Sequence, residues 1–489
     1  MRYSDPVAVV DIGSNSVRLV IYDALKRVPM PVFNEKILCG LGADIQKTGK
    51  LSVEGSVRAQ NAIKRFKKLA DVAGVKPENI FMIATAAMRD AADGVDFVNT
   101  ISREYGCSVE IISGEDEAKY AGLGIVSSTS KVKGIVGDLG GGSLELIQAE
   151  GLNVSDRCSL AIGPLRIYKP GINPEKYSQV VEKHFAEFPL EQHLEGNNFY
   201  AVGGAFRNLA KLHMQRANYP LKVIHNYKVS AKDLAVTAKI ASKMTKSSLS
   251  KIKGVSSKRL DFLPYAAFLI DKIIAIGKPK NIIFAATGIR EGILFDKITK
   301  KQQSENPLIS GAIDIMTRIS RDPTYGYELC QWMDPLFTDD SDHERNLRLA
   351  ACIMSEISCY ENTEYRADLA YRKVLDSSLT GLSHKDRVFI AKALYCRYST
   401  YPDDNILSHM QPILSEKRTQ KAHMIGSAMR LGRSLSGSYS GVIGNSLLKI
   451  SRNTLKLNMS DEFADLKGEI IEKRVNQLAE VIGVKASKV

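Results

Sequence analysis

Two short segments, DIGSNS (Asp11–Ser16) and DLGGGS (Asp138–Ser143), repeat one pattern of chemistry. Each follows an apolar run and leads into another. Aligned, Asp11 matches Asp138, Gly13 matches Gly140 and Ser16 matches Ser143, while Ser14 and Asn15 fall opposite Gly141 and Gly142. Glycine lets the backbone turn sharply and approach an oxyanion, and successive N–H groups then form an anion nest. Ser14, Asn15, Ser16 and Ser143 add side-chain donors. An Asp beside such a nest repels a bare phosphate, so Asp11 and Asp138 suit Mg2+ or water ligation. Val17 and Leu19 fall opposite Leu144 and Leu146, which keeps the in–out alternation of the departing strands. Arg18 then matches Glu145, one half offering a cation and the other a carboxylate. One Asp-x-Gly turn between apolar strands is ordinarily a hairpin. Two in the same register predict the halves of one phosphate cleft.

Other residues fall where such a cleft would lie. Ser113-Gly114 follows a short apolar strand and opens a helix carrying Glu115, Asp116 and Glu117. Acidic residues suit the first turn of a helix, and beside a phosphate cleft one of them is placed to activate water. Spacing alone does not select among the three. Arg89, after the strand ending at Thr85, suits either a bidentate grip on phosphate or a surface helix start. Gly203-Gly204 and Gly288 end strands before helices, as a nucleotide site or a tight β–α turn requires. Arg290-Glu291 reads as a helix-start salt bridge. Lys239, Lys243, Lys246, Lys251, Lys253, Lys258 and Arg259 form a basic run with no acidic residue between them, a solvated face or an anion-binding rim. The 8 histidines form no ligand-spaced set, which gives no support to a His-based metal site.

The elements that must position these residues alternate. Strand patterns at 7–22, 79–84, 108–112, 133–148, 199–202 and 281–286 are interleaved with helical periodicity at 53–73, 94–105, 115–126 and from about 205, which predicts mixed α/β sheets with sites at strand ends. After about residue 305 helical patterns dominate, at 344–358, 364–377, 384–398 and 462–481. The polar segment 299–307 (TKKQQSENP) reads as a linker. The expected organisation is an α/β lobe over 1–126, a second over 127–300, and an all-α region over 301–489.

Composition agrees with a folded enzyme. At 489 residues the chain is too long for one ordinary domain, and 44% hydrophobic with 25% charged residues excludes a disordered protein. No apolar run approaches the ~20 residues of a membrane span, and no signal-like segment opens the chain, so the expected location is the cytoplasm. The 7 cysteines are scattered, without a C-x-x-C, as expected of reduced thiols. A net charge of +13 points to a polyanionic partner, whether nucleic acid, polyphosphate, nucleotide or acidic membrane.

The segments DIGSNSVRL (11–19), ATAAMRDA (84–91), ISGEDEA (112–118), GDLGGGSLEL (137–146), AIGPLR (161–166), AVGGAFRNLAKL (201–212), KRLDFLP (258–264) and ATGIREG (286–292) together resemble the exopolyphosphatase / guanosine pentaphosphate phosphatase family. That family belongs to the actin–Hsp70–sugar kinase superfamily. The resemblance implies two actin/RNase H-like lobes with an interlobe cleft, and a Mg2+-dependent hydrolase releasing terminal orthophosphate from inorganic polyphosphate, guanosine pentaphosphate or both. It implies no specific nucleic-acid partner. By resemblance Glu117 is the catalytic base, Arg18 and Arg89 bind phosphate, and Asp138 and Glu145 hold metal and water; the paired turns set Asp11 to face those two across the cleft. Gly13, Ser14, Asn15, Ser16, Gly140, Gly141, Gly142 and Ser143 cradle phosphate. Gly203, Gly204 and Arg259 lie where relatives grip the nucleotide or the extending chain.

Two departures stand out. The family's Gly-Gly-Thr turn reads Gly-Gly-Ala here, which removes a hydroxyl. The C-terminal region resembles HD phosphohydrolases, but Ser355-Glu356 stands where a working site has His-Asp, and 364–371 contains no His. The expectation is a catalytically dead, HD-like region that binds substrate or forms a homodimer. A sugar or acetate kinase on the same fold, or a non-catalytic alarmone- or polyphosphate-binding protein, is disfavoured by the Glu117 motif.

Overall fold

The strand pairs flanking the two turns become the centres of two sheets. The structure, a computed structural model, describes residues 5–250, 260–400 and 404–487. In the first sheet β1 (Val7–Ile12), β2 (Ser16–Tyr22), β3 (Pro31–Leu38), β4 (Ile80–Ala84) and β5 (Val109–Ile111) run in the order β3-β2-β1-β4-β5. In the second, β6 (Lys133–Leu139), β7 (Leu144–Glu150), β8 (Asn153–Leu160), β9 (Asn198–Val202), β10 (Tyr227–Ser230) and β11 (Asn281–Phe284) run in the order β10-β11-β9-β6-β7-β8. Without edge strand β10, the two sheets have one topology. A central strand, β1 or β6, pairs antiparallel with its hairpin partner and parallel with the next strand. The sequence repeat is thus a repeat of whole sheets. Each Asp lies near the end of a central strand, where loops gather into sites.

Register follows the alternation read from the sequence. Asp11 pairs with Arg18 and Asp138 with Glu145, while Val17, Leu19, Leu144 and Leu146 are completely buried. β1 and β6 are apolar on both faces because helices cover both sides. β3, β8 and β10, which have no counterpart in the strand patterns read above, lie at or near sheet edges. β3 and β8 are largely exposed or half-exposed, so their composition is too polar to announce a strand.

Two helices lie between the sheets. Ala118, Ala121, Ile125 and Val126 of helix Gly114–Ser128 pack with Val136, Ile147, Tyr200 and Val202 of the second sheet. Helix Ile289–Lys297 sends Ile293 and Leu294 to Val7, Val9 and Ile83 of the first sheet, and Phe295 to the core of the second. The expected lobe boundary at 126/127 therefore falls inside a helix shared by both halves. The two helices touch at backbone distance. A Cβ added to Gly124 would lie 2.1 Å from Gly288 O, and one on Gly292 only 1.8 Å from Tyr120 O. Only glycine permits this crossing.

The chain divides into compact units at Met1–Ser304 and Glu305–Val489. The polar segment expected as a linker is ordered. Helix Lys300–Ser304 occupies it, Gln303 Nε2 donates to Phe295 O at 2.8 Å, and Asn306 with Pro307 starts the next helix. The second unit is α-rich, with helices Asp342–Ile353, Arg366–Leu375, His384–Tyr398, Glu416–Ser436 and Glu469–Ile482 among them. It is not all-α. β12 (Ser446–Ser451), β13 (Thr454–Met459) and β14 (Lys485–Ala486) form a three-stranded sheet. The β12–β13 hairpin turns at Arg452-Asn453, both at positive φ. An Arg at that position is an unusual turn signal, which hid the hairpin in the sequence. The expected helix over 462–481 begins only at Glu469. Among the described residues, no helix is long and apolar enough to cross a membrane, and all seven cysteines are free thiols.

Candidate active site

The two turns have the same internal geometry. Gly13 N donates to Ser16 O at 3.0 Å, and Gly140 N donates to Ser143 O at 3.0 Å. In both, the turn carbonyls face away from the cleft and are bonded by the loop that follows. Ser14 O and Asn15 O accept from Gly42, Cys39 and Gly40, while Gly141 O and Gly142 O accept from Leu165 and Gly163. The amides of Ser14, Asn15, Gly141 and Gly142 have no acceptor among the described residues. These turns approach each other across a cleft of about 240 Å³. A Cβ on Gly142 would lie 3.4 Å from Ser14 Oγ and 3.3 Å from the Ala86 side chain. Arg166 fixes the second turn, donating from Nε to Gly142 O at 3.0 Å and pairing with Asp90.

Of the three acidic residues after Ser113, only Glu117 lines the cleft. Ser113 Oγ caps the helix by accepting from Asp116 N at 3.0 Å, and donates to the Asp116 carboxylate at 2.7 Å. Glu115 is exposed. Glu117 Oε2 accepts from Arg89 Nη1 at 2.8 Å, and the same nitrogen donates to Ile112 O. Arg89 thus holds Glu117 and is not itself a cleft-lining residue. Burial pushes the Glu117 carboxyl up to about 7; Asp11 and Asp138 add to the rise, and Arg89 opposes it.

The other carboxylates are stressed in the same direction. Burial, with Asp11 and Glu291 nearby, pushes Asp138 up to about 6 against the pull of Arg207 and Arg290. Glu145 is only 2% exposed. Burial and then the Glu117 and Asp138 charges push it well above the usual carboxylate range, against bonds from Ser143 and Ser159. Ser159 Oγ donates to Glu145 Oε1 at 2.9 Å. On the opposite side Arg18 Nε donates to Asn34 Oδ1 at 2.9 Å, and burial with the Arg290 and Arg207 charges pulls its guanidinium down to about 10. Arg290 Nη1 donates to Asp11 Oδ2 at 3.3 Å, while its buried Nε has no partner.

Among the described residues no three acidic, His or Cys side chains close around one point, and Asp11 is engaged by Arg290. A three-carboxylate cage including Asp11 does not fit. Asp138 and Glu145 do fit the ordinary Mg2+ arrangement of one or two carboxylates completed by water and substrate phosphate.

Of the remaining expected residues, Gly203 and Gly204 line the cleft. Gly203, at φ +106°, would put a Cβ 2.5 Å from Leu139 O, and Gly204 opens helix Gly204–Arg216. Arg259, with the basic run from Lys251 onward, lies outside the described residues. The cleft also contains Lys36, Arg207 and Arg290, which sequence reasoning did not place there. Arg290 is not a mere helix-start salt bridge. Its signal was the strand-end glycine at Gly288, which like Gly203-Gly204 lines the cleft.

Residues 19–301 match the Ppx/GppA phosphatase family, and 308–489 match the exopolyphosphatase C-terminal family. The chain belongs to the Ppx/GppA phosphatase family. The fold is accordingly actin-like. The chain is 29% identical over 336 residues to retrograde regulation protein 2 of Saccharomyces cerevisiae, covering 62% of this chain and 57% of that protein. It is 23% identical over 327 residues to exopolyphosphatase 1 of Mycobacterium tuberculosis, covering 64% of this chain and 94% of that one. The crystal structure of the Aquifex aeolicus Ppx/GppA family member superimposes with a TM-score of 0.52 at 27% identity, over 61% of this chain and 98% of that one.

The buried carboxylates make stability depend on pH in a Ppx/GppA cleft of this kind. A carboxyl whose folded pKa is raised stabilises the fold below its unfolded pKa, and that contribution is lost as pH rises through the folded pKa. Glu145→Gln removes the loss. Without divalent cations, thermal unfolding at pH 8 should show the variant about 3 °C or more above wild type, the difference shrinking toward pH 5.

Proposed function

We propose that the cleft hydrolyses a terminal phosphoanhydride, releasing orthophosphate from inorganic polyphosphate. The observation that carries this reading is Glu117, a half-buried carboxyl lining the same cleft as two turns whose amides have no acceptor among the described residues. The N–H groups of Ser14, Asn15, Gly141 and Gly142, with Arg18, hold the oxygens of the terminal phosphoryl group. Glu117 takes a proton from water as the water oxygen bonds to phosphorus, and the bridging oxygen leaves with the shortened chain. Asp138 and Glu145 would hold Mg2+, which supplies charge neutralisation at the phosphoryl oxygens.

Polyphosphate is favoured over guanosine pentaphosphate by the net charge of +13 and by Ala205 in place of a hydroxyl residue. The mycobacterial relative is itself named an exopolyphosphatase. The second unit, read as a degenerate HD-like module, has Ser355 and Glu356 each 1% exposed, with Glu356 tied to Arg321. It takes no part in this chemistry. The test is orthophosphate release from polyphosphate and, separately, from guanosine pentaphosphate. Release from polyphosphate should be faster, stop on chelation with EDTA and return with Mg2+. No release from either substrate overturns the hydrolase reading, and faster release from guanosine pentaphosphate overturns the substrate assignment.

A further inference from the structure

The two turns of the cleft are built from unequal material. The first carries Ser14 and Asn15, whereas the second is Gly140-Gly141-Gly142, three residues with no side chain to limit peptide rotation. Its shape is imposed from behind. Segment 161–166 lies flat against it: a Cβ added to Gly163 would sit 2.2 Å from Gly142 C and 2.3 Å from Ser143 N. Leu165 N donates to Gly141 O at 2.9 Å, and Gly163 N donates to Gly142 O at 3.2 Å. Tyr265 Oη anchors that segment from the core, donating to Ile162 O at 2.8 Å. A side chain completes the backing, with Arg166 Nε donating to Gly142 O at 3.0 Å.

The other arm of the same guanidinium reaches the first half of the cleft. Arg166 Nη2 pairs with Asp90, the last residue of helix Ala86–Asp90. The preceding residue, Arg89, donates from Nη1 to Glu117 Oε2 at 2.8 Å. One short helix thus reaches Glu117 through Arg89 and the glycine turn through Asp90. Its first residue, Ala86, also lies against that turn, 3.3 Å from where a Gly142 Cβ would be. Neither Arg166 nor Asp90 is among the residues lining the cleft. Their side chains are 27% and 33% exposed, and an ion pair so placed adds little to stability. What it can fix is direction. With Gly142 O drawn outward, the trans peptide turns Ser143 N–H the opposite way, to the cleft side.

We infer that Arg166 and Asp90 are a positioning pair for the reaction in the cleft. Arg166 locks the peptide between Gly142 and Ser143 with its N–H toward the terminal phosphoryl group. Asp90 holds Arg166 in place, and in step with Arg89 and Glu117. The inference rests on the hydrolytic reading of the cleft, and adds two residues that touch no reacting atom to those on which orthophosphate release depends. The arginine fork satisfies a carbonyl and a carboxylate at once, whereas a lysine ammonium in its place keeps the charge without the planar fork.

Asp90→Asn separates positioning from charge. Removing a negative charge near a polyanion site strengthens the site if charge alone matters, whereas loss of the clamp weakens it. In steady-state release of orthophosphate from polyphosphate with Mg2+, Arg166→Ala should lower kcat/KM by about 10–10²-fold, and Asp90→Asn should lower it by less. Arg166→Lys should recover part of the loss. The double variant Asp90→Asn/Arg166→Ala should be no worse than Arg166→Ala, because Asp90 acts through Arg166. Thermal unfolding of each variant should stay within about 2 °C of wild type. An Asp90→Asn variant at least as active as wild type, losses that add in the double variant, or losses that follow a lowered unfolding temperature overturn the inference. Wild-type protein that releases no orthophosphate sinks the hydrolytic reading instead. Calorimetric titration with sodium orthophosphate then decides the pair: weaker binding by Asp90→Asn than by wild type supports it, and equal or tighter binding overturns it.

Discussion

Glu117→Gln should lower kcat for orthophosphate release by about 10²–10⁴-fold while substrate affinity is kept. The amide preserves the size of the side chain and can still accept from Arg89, which now donates to Glu117 Oε2 at 2.8 Å. What is lost is a site for the proton leaving water. Neither neighbour can substitute: Asp116 is bound to the Ser113 cap, and Glu115 is exposed. The pH profile makes the same point independently. A base works ionised, and burial holds Glu117 near 7, so kcat/KM should fall through an acid limb centred there. A cation held at Asp138 and Glu145 favours the ionised form and should move the limb to lower pH as its concentration rises. Full turnover by the Gln variant, or an acid limb that ignores the substitution, would remove Glu117 from the chemistry.

The second large effect is expected at Arg18. Arg18→Ala should lower kcat/KM by about 10²–10³-fold, the usual loss when one donor to a developing oxyanion is removed. Arg18 comes from β2 opposite Asp11, so its register is fixed by the sheet. Crowding by Arg290 and Arg207 is relieved when a phosphate enters among them. Arg18→Lys should restore only part of the activity, because an ammonium keeps the charge but not the fork. Steady-state kinetics with polyphosphate would measure both variants, and wild-type kcat/KM in Arg18→Ala would place the phosphate elsewhere.

The centre of the site was legible from sequence for a specific reason. An Asp-x-Gly turn between strands with period-2 burial fixes both a backbone shape and the faces of the side chains that follow. Asp11, Arg18, Asp138 and Glu145 could therefore be put in register without coordinates. Their division of labour could not. Asp11 is engaged by Arg290, which arrives from the far end of the first unit, and no local spacing reveals that contact. Arg89 stands beside Glu117 because β4 and β5 are adjacent and parallel, a fact of sheet order rather than of sequence distance. The edge strands β3 and β8 were hidden by their polar faces, and the β12–β13 hairpin by the unfavourable Arg452 in its turn. Lys36 was lost with β3, since a residue on an unrecognised strand cannot be assigned to a face.

The most direct measurement of the central claim is the fate of water oxygen. Polyphosphate hydrolysed with Mg2+ in ¹⁸O-labelled water should release orthophosphate carrying one labelled oxygen, with none in the shortened chain. That places the new bond on the terminal phosphorus. Label retained in the chain, or orthophosphate formed without label, would contradict attack by a water held between Glu117 and the two turns.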